Sequence, residues 1–234
     1  MATYIVQVFK LFERIWHWSQ AASILLLLFT GFAIHGVHRL ISFETAAWLH
    51  TLVAFALLLL WIFATFWLFT TGQWRHYIPT GKNFIQVAKY YSFGIFKGDH
   101  HPYRKTFRRK HNPLQALTYL LLKIVIFPAI WISGIAYMVI SFGYGEGLSD
   151  MLGSATVPLI HTIAAIAIAI FIIAHLYLLT TGHSFIAHLK PMITGWDEVD
   201  LTDEEAAFLI ADERNHIKPR DDMVVHCESE PKKS

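Results

Sequence analysis

HTIAAIAIAIFIIAH, residues 161–175, sets thirteen residues between two histidines, and Thr162 is the one polar side chain among them. The apolar run around it extends over 156–181. That is enough to cross a bilayer, whose hydrocarbon core takes about 20 residues of helix. Three further blocks are comparably long and apolar: 15–36, 46–70 and 117–142. The 234 residues are 55% hydrophobic and 15% charged, against about a quarter charged in a soluble domain. The expected fold is an all-α integral membrane protein, a bundle of four transmembrane helices.

The first block follows Lys10 and Arg14, as the core of a signal peptide would. It is long, however, and HGVHRLISF after it offers no small-residue cleavage site, which predicts a retained span. Lysine and arginine set the orientation. Residues 71–113 carry nine of them, the loop after the first block has Arg39 alone, and 143–155 has none. The middle loop and both termini are therefore expected on the cytoplasmic side of the membrane. Trp16, Trp18, Trp48 and Trp74 fall near span ends, where indoles favour the lipid–water boundary.

Residues 1–196 read as the transmembrane domain and 197–234 as an acidic cytoplasmic tail. The tail holds twelve of the seventeen acids and five bases, with helical character expected around Thr202–Arg214. The net charge of +2 and the place of the basic loop suit membrane topology and anionic lipid better than nucleic acid. Cys227 is the single cysteine. An internal disulfide is excluded, and so is covalent haem attachment through C-x-x-C-H.

The blocks echo one another. LHT (49–51) and TTG (70–72) recur as IHT (160–162) and TTG (180–182), and FTGFAI (29–34) resembles WISGIAY (131–137). Two helical hairpins of common design are expected, with chance similarity among apolar helices as the alternative. The position matching His175 in the second block falls near Ala64 and Thr65, so that histidine belongs to the fourth helix only.

Fourteen helical residues rise about 21 Å and turn about 40° short of four full turns. His161 and His175 thus share a face at two depths. They cannot bind one ion, because ligand atoms lie about 2 Å from a metal. Depth supplies partners from other helices: His50 opens the second block on the side of His161, and His17 opens the first on the side of His175. Two bis-histidine sites follow, His50/His161 toward the periplasm and His17/His175 toward the cytoplasm. Haem suits both, being flat, apolar on its faces and able to lie between helices. Two axial histidines favour electron transfer. Gly31 and Gly134 allow close approach of a porphyrin or a helix. Arg39 and Arg14 are candidate partners for the propionates of the periplasmic and cytoplasmic haem.

Competing readings exist. Intramembrane histidines also hydrogen-bond across helices for packing, which suits a non-redox membrane anchor or assembly subunit. A single haem with one degenerate pair is a further alternative. A proton-coupled transporter is disfavoured, since the four blocks contain no Asp or Glu, and Lys123 lies near enough to the cytoplasmic end to snorkel. His35 and His38 fit interfacial or partner contacts.

RIWHW (14–18), the lone His50, KHNPLQAL (110–117) and the His161/His175 pair resemble the prokaryotic hydrogenase-type cytochrome b family. That family includes membrane subunits of nickel–iron hydrogenases and of thiosulfate-reductase-like complexes. The resemblance covers about 5–195, and FERIWHW and TGFAIHG lean toward the thiosulfate-reductase-like branch. It implies two noncovalent b-type haems on His17, His50, His161 and His175. The implied role is an electron-transfer subunit of a membrane oxidoreductase complex, linking a periplasmic redox or catalytic subunit to the quinone pool. Quinone, as exchangeable substrate, is expected near the cytoplasmic haem, with Tyr103, Lys110, His111 and Asn112 at hand. KHNP also reads as a helix start, Asn112 capping and Pro113 in first position.

Overall fold

The computed structural model describes residues 2–74, 84–94, 113–143, 155–180, 185–201 and 217–219, with Gly147 and Asp150. Four helices are long and apolar enough to cross a membrane: Leu11–Ile34, Phe43–Thr70, Leu114–Ser141 and Thr156–Thr180. Each lies within a few residues of an expected block. The first begins earlier than expected because Glu13 caps it, its carboxylate accepting from the Lys10 N–H at 2.8 Å. Ser42 starts the second by accepting from the Thr45 N–H at 3.2 Å. Pro113 is the first helical residue before the third, as expected.

The helices pair as two hairpins, the first span against the second and the third against the fourth. Among the described residues few side chains are buried. Leu122, Phe127 and Ile168 form one cluster, joined by Ile24 and Trp61 from the other hairpin. Much of the remaining apolar surface faces outward, including Phe66 at 68% and Ile173 at 69% exposure. In a bilayer those side chains meet acyl chains, so exposure there carries no hydrophobic penalty.

The third span is not a regular α-helix. At Leu122–Ile126 it widens to π-helical bonding, and the Phe127 N–H reaches back to the Leu122 carbonyl. Pro128 accounts for this, since it has no N–H and its ring would press on the Ile124 carbonyl. Lys123 sits in the widened turn, its ammonium 4.9 Å from the centre of the Trp16 ring.

A small sheet, which the sequence reading did not foresee, joins the two ends of the membrane domain. Strand β1 (Ala2–Gln7) pairs antiparallel with β2 (Trp196–Leu201), from Ala2 opposite Leu201 to Gln7 opposite Trp196. On its other edge β1 pairs with β3 (Ile217–Pro219). The division expected between 196 and 197 falls inside β2, so Asp197–Leu201 is held against the N-terminus instead of running free. The helix expected around Thr202–Arg214 lies outside the described residues.

A short helix, Phe185–Thr194, links the fourth span to this sheet and ends at Gly195. The Gly195 carbonyl accepts from Val8 N–H at 2.9 Å and Phe9 N–H at 3.1 Å. Gly195 has φ +89°, and a Cβ there would stand 2.7 Å from the Phe9 carbonyl oxygen. Gly195→Ala is therefore expected to destabilise the junction by more than about 1 kcal/mol, from left-handed strain and backbone overlap together. A lowered thermal midpoint of the detergent-solubilised protein checks this, and an unchanged midpoint would refute it.

Candidate functional site

Each hairpin carries a histidine near its connected end, and the bundle brings those two together. The ring centres of His50 and His161 are 6.3 Å apart, with the planes inclined at 63°. At the other depth, His17 of the first span faces His175 of the fourth, with ring centres 6.5 Å apart and planes at 54°. These are the pairs that depth along the helices selects.

The separations fit one metal between each pair. A ligating nitrogen lies about 2 Å from a first-row metal and an imidazole centre roughly 1.1 Å behind that nitrogen, which puts two ring centres about 6 Å apart across one ion. Among the described residues no group of three or more His, Cys, Asp or Glu could hold a metal ion. Among the described residues each site thus offers two protein ligands, where structural zinc takes four and catalytic zinc three. Two axial imidazoles are what a haem iron takes when its porphyrin supplies the remaining donors. Among the described residues the donor set of each pair fits haem.

The His50/His161 site is built the same way from both hairpins. In the first, His50 Cε1 lies 3.6 Å from where a Cβ on Gly31 would be, and Nδ1 is 2.9 Å from the Thr30 hydroxyl. In the second, His161 Cε1 lies 3.1 Å from a Cβ on Gly134, and Nδ1 is 3.1 Å from the Ser133 hydroxyl. Thr30 and Ser133 are buried, at 0% and 5% exposure. The echo between FTGFAI and WISGIAY is thus a hydroxyl–glycine seat for an imidazole. Sequence reasoning found the glycines and missed the hydroxyls, although both stand one residue before the glycine in the echoed segments. The glycines receive the histidine of the neighbouring helix.

The His17/His175 site lacks this symmetry. His17 Nδ1 is buried and has no hydrogen-bond partner among the described residues. Its ring stands edge-on to Trp18 at 5.1 Å, while His175 stacks on Phe171 at 5.8 Å. Phe171 in turn meets Tyr119 of the third span at 5.9 Å. Ala64, fourteen residues after His50, is fully buried against Trp16 and Leu68. In the first hairpin the position matching His175 is thus an alanine packed against a tryptophan.

Other expected residues stand as follows. Arg14 Nη1 donates to the Ile193 carbonyl. The guanidinium lies below Gly195, and its Nε is buried without a partner among the described residues. Arg39 lines a shallow pocket with His38 and Ser42 where the first span turns into the second. His38 closes the end of the first span, its Nε2 2.9 Å from the Phe29 carbonyl and its ring stacked on Phe29 at 4.5 Å. Trp18 donates to the Met192 carbonyl at 3.0 Å, tying the first span to the short helix. Tyr103, Lys110, His111 and Asn112 lie outside the described residues.

Residues 8–195 match the family described as prokaryotic cytochrome b561. A protein of Escherichia coli (strain K12) named "Putative cytochrome YdhU" is 28% identical over 190 residues, covering 78% of this chain and 71% of its own. No solved structure matches the chain.

Proposed function

Because this chain belongs to the prokaryotic cytochrome b561 family, transmembrane b-type cytochromes of electron transfer in the bacterial inner membrane, we propose that it carries two haems and links a periplasmic redox partner to the quinone pool. His50 and His161 hold one haem toward the periplasm, and His17 and His175 hold the other toward the cytoplasm. One observation supports the pairing above all: two histidine pairs at different depths, with ring centres 6.3 and 6.5 Å apart. Packing alone gives no reason for that separation to recur, so the geometry favours the redox reading over a non-redox anchor. When bound, each haem supplies a one-electron centre whose potential depends on its ligands and surroundings.

The residues do the rest. The four histidines fix the cofactors in the bundle without a covalent bond. Gly31 and Gly134 leave room for the imidazoles, while Phe171, Trp16 and the lipid-facing helices exclude water. Charge asymmetry of the loops supports placing the N-terminus, the sheet and the 71–113 loop in the cytoplasm. On that side Tyr103, Lys110, His111 and Asn112 supply polar and proton-donating groups for quinone, and Arg14 is a candidate propionate partner; Arg39 is the candidate at the periplasmic haem. The partner is a redox or catalytic subunit of the thiosulfate-reductase-like, multihaem c-type or nickel–iron hydrogenase kind.

One experiment tests both halves. The purified full chain is assayed for extractable haem per protein, then mixed with a reduced quinol while its absorption is followed. The expected result is two haems per chain, both reduced by the quinol. One haem would overturn one pair. No haem, in protein made with haem available, would promote the anchor. Two haems indifferent to quinol would remove quinone from the proposal.

A further inference from the structure

We propose that Thr30 and Ser133 are positioning residues: each accepts the Nδ1 proton of a ligand histidine, so that both Nε2 atoms of the His50/His161 site present lone pairs to iron. The inference rests on the haem reading of that site and adds what selects the tautomer and tunes the metal.

The assignment follows from counting protons. A hydroxyl has one hydrogen to donate. Inside a helix, Thr and Ser commonly give it to the carbonyl four residues back. The Thr30 hydroxyl lies 2.9 Å from the Leu26 carbonyl and 3.2 Å from that of Leu27. The Ser133 hydroxyl lies 2.5 Å from the Ala129 carbonyl and 3.2 Å from that of Ile130. A carbonyl oxygen can only accept, so in this assignment the hydroxyl hydrogen goes there. What each hydroxyl then turns toward His50 or His161 is a lone pair. The imidazole nitrogen then supplies the hydrogen, with the Leu27 carbonyl beside His50 and the Ile130 carbonyl beside His161 as second acceptors, which places it on Nδ1. A neutral imidazole carries one ring proton, and Nε2 is left as the donor atom. The same logic applies in both hairpins, at the echoed Thr30–Gly31 and Ser133–Gly134 steps.

Two consequences follow. The apoprotein holds both rings in the tautomer that ligation needs, before any haem enters. An Nδ1–H that gives its hydrogen bond to an acceptor also makes Nε2 a stronger donor to the metal, which favours the oxidised iron. His17 Nδ1 has no such partner among the described residues. The two sites are therefore chemically unequal, and the hydroxyls act on one of them.

The test is a potentiometric titration of the full haem-loaded chain, with haem counted in each sample. Thr30→Val keeps the shape and removes the acceptor, and Thr30→Ser restores a hydroxyl. Thr30→Val is expected to raise the midpoint of one haem and leave the other in place. The oxidised-to-reduced ratio of that haem at fixed ambient potential should fall by up to about tenfold, or about 59 mV for a one-electron couple. Thr30→Ser should sit near the parent protein, and Ser133→Ala should move the same haem as Thr30→Val. If Thr30→Val loses one haem while Thr30→Ser keeps both, the hydroxyl is needed for binding and the inference stands. It is overturned if valine and serine behave alike, if both haems move together, or if neither moves in a chain that holds two haems. Fewer than two haems in the parent protein would instead overturn the two-haem reading beneath it.

Discussion

Replacing His161 by alanine is expected to remove one haem per chain and leave the other in place. The argument is geometric. His161 faces His50 across 6.3 Å, while the second pair draws on the first and fourth spans at a different depth. Without the imidazole, His50 alone would have to hold a noncovalent cofactor. The Ser133 hydroxyl loses a partner but still donates to the Ala129 carbonyl, so the helix itself is spared. Haem per chain should fall by about half, with a low-spin bis-histidine spectrum left for the remaining centre. Haem extraction and a reduced-minus-oxidised spectrum read this directly. Survival of both haem signals would show that the pairing is wrong.

Gly134→Val should produce the same loss without touching a ligand. A Cβ at Gly134 already stands 3.1 Å from His161 Cε1 and 3.4 Å from Nδ1. The two further carbons of valine must push the imidazole out of its seat or the helices apart. Valine also has a better helix propensity than glycine, by a few tenths of a kcal/mol. The variant is therefore expected to lose one haem while its helical content stays unchanged. Gly31→Ala is the control. Its Cβ would sit 3.6 Å from His50 Cε1, an ordinary contact, and both haems should remain. Equal haem loss in the two variants would mean that helix packing, and not the seat at Gly134, decides binding. Circular dichroism beside haem content separates those outcomes.

The membrane architecture was legible in the sequence because lipid imposes one strong rule, long apolar runs closed on their own hydrogen bonds. The histidine pairs were legible because helical rise converts sequence spacing into depth. The ends of the spans were less so: Glu13 and Lys10 lower the local hydropathy, yet their capping contact begins the first helix at Leu11. The hydroxyl seats went unread because Thr30 and Ser133 look like ordinary small polar residues, and their role depends on a partner in the next helix. The sheet escaped for a different reason. ATYIVQ and WDEVDL are six residues each, too short to signal strands alone. Their partnership spans the whole membrane domain, and the acids of β2 read as the start of a solvated tail.

That sheet also sets an order of events in the making of the protein. β1 leaves the ribosome first, and its partner begins at Trp196, after the fourth span. At 5–20 residues per second the interval is roughly 10–40 seconds. Throughout it, β1 has no mate on its β2 side. When the ladder closes, His161 and His175 have already been synthesised, so its closure reports that every proposed haem ligand has left the ribosome.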